Sequence, residues 1–116
     1  MAKINLSKNA LLILEHRYLI KNKRGKVIEK TKDLFRRVAK NIAQADQLYG
    51  SHDISDIQER FFTMMAELRF LPNSPTLMNA GTKTQQLSSC FVLPVEDSMK
   101  GIFGTLLDAA SIHQRG

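Results

Sequence analysis

The sequence predicts a mainly α-helical chain that runs, past about residue 70, into a loop, one strand and a last helix. Three observations carry this expectation. Apolar residues recur every three or four positions through residues 11–18, 34–45 and 57–68, the spacing that gathers them on one helix face. Two prolines, two asparagines and a glycine fall within the eleven residues Leu71 to Gly81, a composition that argues against a regular helix or central strand there. Residues 87–93, Leu-Ser-Ser-Cys-Phe-Val-Leu, form a β-prone run closed by Pro94, and a strand buried on both faces belongs in a covered sheet or barrel.

The elements follow in order. Ser7 is placed to cap a first helix through its hydroxyl, with Leu11, Leu14 and Tyr18 on one face. Tyr18-Leu19-Ile20 and Val27-Ile28 flank Asn22-Lys23-Arg24-Gly25, which reads as a small hairpin about a glycine turn. Thr31 is the expected cap of a second helix, whose stripe is Leu34, Phe35, Val38, Ile42 and Ala45, with Lys32, Arg36, Arg37 and Lys40 on the other faces. Gly50 stands where that helix needs a stop. Ser55 and Gln58 have capping-box spacing before Ile57, Phe61, Met64, Met65 and Leu68, predicting a third helix to about Phe70 that Pro72 ends. The Met64-Met65 pair reads as core filler rather than a thioether site.

Residues 71–81 are too apolar at Leu71, Leu77 and Met78 for a solvated linker, so an ordered, partly buried loop is expected. Ser98 is placed to cap a last helix with Ile102, Leu106 and Ala110 on one face. No other comparable strand is present to pair with residues 87–93, and lone strands leave backbone groups unsatisfied. The second half is therefore expected to open a larger domain.

Composition bounds the function. The chain has 116 residues, 43% apolar and 24% charged, which suits one small globular unit and excludes collagen-like, disulfide-scaffold and disordered classes. The single cysteine, Cys90, excludes an internal disulfide or a cysteine-clustered metal site. No apolar run approaches the roughly 20 residues of a membrane span, and the N-terminus lacks a signal-peptide core. A cytoplasmic protein with no membrane partner is expected.

Residues 1–50 hold twelve Lys and Arg against four Asp and Glu, whereas residues 51–116 hold five against seven. A basic half suits an anionic nucleotide, a nucleic acid or an acidic protein, or is simply a solvated helix face. The lack of clustered aromatics for base stacking argues against nucleic acid.

Few residues carry chemistry. His16, His52 and His113 stand far apart without ligand spacing and read as surface or helix-end residues. Gly101 and Gly104 lack a phosphate-loop pattern, and no serine sits in a nucleophile elbow. That leaves Ser88-Ser89-Cys90. Cys90 is either a small buried core residue or a redox thiol at a strand edge, with hydroxyls beside it to bind a polar ligand.

The stretches Leu71-Pro72-Asn73-Ser74-Pro75-Thr76-Leu77-Met78-Asn79-Ala80-Gly81-Thr82 and Gln86-Leu87-Ser88-Ser89-Cys90-Phe91-Val92-Leu93-Pro94-Val95-Glu96-Asp97-Ser98 closely resemble the start of the catalytic barrel of ribonucleotide reductase large subunits. The likeness is greatest to the class II, adenosylcobalamin-dependent enzymes. Asn9-Ala10-Leu11 through Arg17-Tyr18-Leu19, and Asp33-Leu34-Phe35-Arg36-Arg37-Val38-Ala39, are similar to that class too, so the resemblance covers nearly the whole chain.

The resemblance implies a helical N-terminal region, residues 1–70, and in residues 71–116 the first loop, strand and helix of a ten-stranded α/β barrel that this chain leaves incomplete. It implies a substrate-binding hydroxyl at Ser74 and a Ser89-Cys90 pair beneath the ribose. Cys90 would be one of two thiols that reduce the 2′-carbon and become a disulfide. A ribonucleotide substrate, the remainder of the reductase polypeptide, an external dithiol and adenosylcobalamin, its site outside this chain, are implied as partners and cofactor.

The partner thiol of Cys90 is absent, and Arg115 stands where the family usually has serine after His-Gln. The 116-residue chain is therefore expected to be inactive by itself. The rival expectation is a non-catalytic helical module that binds nucleotide, nucleic acid or a protein partner through its basic half.

Overall fold

Helix order begins at Ser7, whose Oγ accepts a hydrogen bond from the Ala10 N–H at 3.2 Å and so caps α1, Lys8–Arg17. The computed structural model describes residues 4–50 and 53–115. Leu14 and Tyr18 lean on the core from one side of α1, as their spacing predicts, while Leu11 is exposed. The chain then doubles back. Asn22 Oδ1 accepts from the N–H groups of Arg24 and Lys26 at 2.9 and 3.0 Å, and Gly25 takes φ +76°. The expected hairpin is reduced to a single antiparallel bridge, Lys21 to Val27, because the flanking runs are too short to form a ladder.

The second helix, α2, spans Thr31–Ala43. Lys30, not Thr31, is its cap residue, and the Asp33 carboxylate reaches back to accept from the Lys30 N–H at 3.1 Å. Leu34, Phe35, Val38, Ala39 and Ala43 are buried. Ala45, expected on the stripe, is exposed. It lies in a 3-10 segment, Gln44–Tyr49, whose three residues per turn rotate it off the helical face. Gly50 closes that segment at φ +84°.

Helix α3 spans Ile54–Ala66 and is capped by Asp53, which accepts from the Asp56 N–H at 3.0 Å. Ser55 therefore lies inside the helix, two residues past the cap. The buried set is Phe62, Met65 and Ala66, so the stripe is turned about one residue from the predicted one. Arg36 of α2 helps fix this turn: its guanidinium lies 4.2 Å from the centre of the Phe62 ring and donates to Glu59 at 3.1 Å.

Nor does Pro72 end α3. Leu68 takes φ +57°, and the N–H groups of Leu68 and Arg69 donate to the carbonyls of Met65 and Met64, both at 3.0 Å. This is a Schellman closure with leucine in the place glycine usually fills.

The predicted loop 71–81 contains a helix, α4, Ser74–Asn79. Asn73 Oδ1 caps it by accepting from the Thr76 N–H at 3.0 Å. Pro75 lies in the first turn, where its missing N–H costs no intrahelical bond. Leu77 and Ala80 complete the core formed by Leu34, Phe35, Val38 and Ala39 of α2 with Phe62, Met65 and Ala66 of α3.

One charged side chain binds this arrangement together. Arg37 projects from α2, donating to the carbonyls of Ala80 at 2.6 Å and Leu77 at 3.2 Å. Glu29 accepts from Nε at 2.7 Å and from Nη2, the nitrogen shared with Leu77, at 3.0 Å. The side chains are only 12% and 7% exposed. Gly81 lies against this site at φ +76°, where an added Cβ would stand 3.0 Å from Arg37 Cγ.

Beyond α4 the expected buried strand is absent: no named strand occurs among the described residues, and residues 88–92 are exposed. The run has no neighbouring strand to pair with, so its backbone is held by side chains instead. Thr76 Oγ1 donates to the Leu87 carbonyl at 3.0 Å, and Asn79 Nδ2 to the Gln86 carbonyl at 2.9 Å. Ser98 caps α5, Met99–Arg115, as expected, its Oγ accepting from the Gly101 N–H at 3.0 Å. The face of α5 bearing Ile102, Phe103, Leu106 and Leu107 is exposed. The radius of gyration is 17.6 Å, against about 13 Å for a compact chain of this length.

Two substitutions test this account. Arg37→Ala leaves the Glu29 charge buried and frees two carbonyls, and should destabilise the chain by about 3 kcal/mol or more in denaturant titration. Leu68→Gly relieves a left-handed residue at an exposed helix end and should raise stability by about 0.5–1 kcal/mol in the same assay.

Candidate functional site

The tethers on Leu87 and Gln86 decide where the next three residues go. Ser88, Ser89 and Cys90 follow the anchored carbonyls and emerge exposed. Ser89 Oγ lies 3.7 Å from Cys90 Sγ, and Cys90 is a free thiol. A buried core thiol, one of the two sequence readings of Cys90, is thereby corrected: without a covering sheet nothing packs over it.

A cavity of about 750 Å³ opens at this point, lined by Asn79 of α4, by Ser88, Ser89, Cys90 and Phe91, and by His113 of α5 among others. Its walls offer hydroxyls, a carboxamide, an imidazole and one thiol. Such a set can hold a polar ligand by several hydrogen bonds and present a reducing sulfur to it.

Ser89 and Cys90 thus come together, whereas Ser74 stands apart. It is the first residue of α4, it is exposed, and its Oγ lies 2.8 Å from the Tyr18 hydroxyl. Its neighbour Pro75 lines the cavity; Ser74 is not among the lining residues.

The histidines divide. His16 is exposed at the end of α1, where its carbonyl accepts from Lys21 Nζ at 2.9 Å. His113 is exposed on α5 and also borders the cavity. His52 lies outside the described residues, as does Gly116.

Sequence reasoning missed the residues that build the site from behind. Arg37 carried the pattern of a solvated face, and nothing local distinguishes it from Lys40. Thr76 and Asn79 lay in a segment expected to be a loop, where their spacing had no meaning. Helical registration of residues 74–79 is the signal that places both toward the same neighbouring strand of chain.

Among the described residues no three His, Cys, Asp or Glu side chains gather to hold a metal ion, and no helix is long and apolar enough to cross a membrane. The cavity lining includes one imidazole, that of His113, and no carboxylate, so it does not present the ligand set of a metal-centred cofactor. The residues present do not fit adenosylcobalamin.

The sequence pattern of the ribonucleotide reductase all-alpha domain matches residues 4–85, which take in α1 through α4 and stop just short of the tethered segment. The chain belongs to the ribonucleotide reductase family. A vitamin B12-dependent ribonucleoside-diphosphate reductase of Mycobacterium tuberculosis (strain CDC 1551 / Oshkosh) is 43% identical over 114 residues, covering 98% of this chain and 16% of the relative. The enzyme of the same name from Thermoplasma acidophilum is 36% identical, covering 97% of the chain and 22% of the relative. The ribonucleoside-diphosphate reductase large subunit of Danio rerio is 39% identical over 100 residues, or 85% of the chain and 12% of the relative. The chain thus spans about a sixth of the length of the curated relative from M. tuberculosis. These likenesses do not favour the reading as a non-catalytic module.

The exposure of Cys90 has a direct check. A small alkylating reagent should modify the native chain at a rate close to that of the unfolded chain, as followed by mass spectrometry. Strong native-state protection would contradict the placement of the thiol.

Proposed function

We propose that this chain forms the N-terminal part of a reductase that converts ribonucleotides to deoxyribonucleotides. The observation that carries the reading is the exposed Ser89-Cys90 pair, which lines a cavity of about 750 Å³ just past the carbonyls that α4 anchors. Cys90 supplies one of two reducing thiols, Ser89 sits beside it under the ribose, and Ser74 donates a hydrogen bond to the substrate. Replacing the 2′-hydroxyl by hydrogen consumes two electrons and two protons and releases water. A pair of thiols supplies both and ends as a disulfide. The second thiol comes from elsewhere in the complete polypeptide, since Cys90 is the one cysteine of these 116 residues. An external dithiol then restores the pair.

The names of the relatives favour a ribonucleoside diphosphate as substrate and adenosylcobalamin as the radical source of the complete enzyme, with the cofactor bound outside this chain. Residues 1–70 form the helical region, and residues 71–116 open the ten-stranded α/β barrel. In this reading α4 is the joint between them, seated on α2 and leading into the tethered segment. A cytoplasmic setting agrees with a chain whose chemistry needs a reduced thiol.

Substitution of Cys90 tests the proposal. In the complete reductase Cys90→Ser should abolish multiple-turnover reduction. The melting temperature should stay within about 2 °C, because exposed substitutions shift stability by no more than about 0.5 kcal/mol. A variant that keeps full turnover would overturn the assignment. The 116-residue chain alone, given adenosylcobalamin and dithiol, should form no deoxynucleotide.

A further inference from the structure

We infer that Tyr18 is a positioning residue for the substrate hydroxyl of Ser74, an inference that rests on the proposed role of Ser74. Two elements far apart in sequence meet here. Tyr18 follows the last turn of α1, and it packs, partly buried, against the core. Its hydroxyl reaches the exposed end of α4 and lies 2.8 Å from Ser74 Oγ.

The direction of this bond matters chemically. A serine hydroxyl has one proton to donate and two lone pairs to accept with. If Ser74 gives its proton to Tyr18, it faces a ligand as an acceptor only. A phenolic O–H is the stronger donor and an alcohol oxygen the stronger acceptor, so the favoured arrangement has Tyr18 donating and Ser74 accepting. The Ser74 proton is then free for an electron-rich oxygen of the substrate. Consecutive bonds in such a chain polarise one another in the same sense.

The geometry also removes a degree of freedom. An exposed serine rotates among three χ1 wells, and only one suits a given ligand oxygen. Tyr18 is held by the core and selects the well, so binding need not order that side chain. Loss of the phenolic oxygen should therefore weaken substrate binding while leaving the chemical step alone.

The experiment is a double-mutant cycle in the complete reductase, with a ribonucleoside diphosphate as the probe and with KM, kcat, equilibrium binding and melting temperature all measured. Tyr18→Phe keeps the ring and its packing. It should raise KM and the dissociation constant about three- to tenfold, the range of one neutral hydrogen bond, with kcat changed less than twofold. Ser74→Ala should have an effect of similar size, and the double variant should be no worse than Ser74→Ala alone. Ser74→Thr, which retains a hydroxyl, should stay near the unaltered KM and remain sensitive to Tyr18→Phe.

If Ser74→Ala raises KM but Tyr18→Phe does not, or if the two effects multiply, the positioning role is overturned while the role of Ser74 stands. If Ser74→Ala leaves KM unchanged, the substrate role of Ser74 fails and the inference fails with it. A Tyr18→Phe variant that loses melting temperature but binds substrate normally would make the contact purely structural and would also overturn it.

Discussion

The largely buried guanidinium of Arg37 is the constraint on which the rest of this structure depends. Helix α4 is only six residues long, and a helix that short has no stability of its own in water. Leu77 and Ala80 give it an apolar seat on α2, but an apolar seat alone permits sliding and rotation. Arg37 fixes it through two carbonyls at its C-terminal end, and those carbonyls would otherwise be unpaired. Glu29 neutralises the charge from the other side and accepts from the Ile20 N–H as well. The short turn between α1 and α2 is thereby tied to the same point as α4.

What α4 does with this fixity is hold a length of chain that has no secondary structure. Residues 86–90 lack a sheet partner, yet their position is decided by two side chains, Thr76 and Asn79, each donating to a backbone carbonyl. The site residues Ser89 and Cys90 lie only two and three positions beyond the anchored Leu87. Ser74 leads the same helix and is met by Tyr18 from α1. All three proposed site residues are consequently referred to one small helix, although Ser74 stands outside the cavity that Ser89 and Cys90 border.

The apolar surface is divided in a corresponding way. Helices α1 to α4 close one core around Leu34, Phe35 and Phe62, and the family match extends over the same span. Helix α5 contributes nothing to that core. Its connection to the body runs through the hydrogen bond from Thr105 Oγ1 to the Pro94 carbonyl, at 2.6 Å, and through the cavity walls. Val92, Val95 and the α5 residues Phe103 and Leu107 remain open to solvent, which is why the molecule is more extended than its length requires.

Much of the helical architecture was legible in the sequence, because helix periodicity and caps are local. Ser7 and Ser98 cap the helices assigned to them, and Leu34, Phe35 and Val38 face the core as their spacing requires. Where two caps competed the local rule was less exact: Asp53 displaced Ser55, and Lys30 with Asp33 displaced Thr31, by one or two residues. The proposed site residues Ser74, Ser89 and Cys90 were suggested by the likeness of residues 71–98 to a family, not by any property of the residues themselves. Tertiary structure decided the remainder. A run such as Leu87–Leu93 has strand propensity but becomes a strand only when another edge supplies hydrogen bonds, and here side chains of α4 supply them. A proline-rich stretch becomes a helix when Pro75 falls in the first turn and a neighbour holds the last. Arg37 is indistinguishable in sequence from the solvated cations beside it, because its role depends on Glu29 and on carbonyls forty and forty-three residues away. Such partners are brought together only by the packing of the helices.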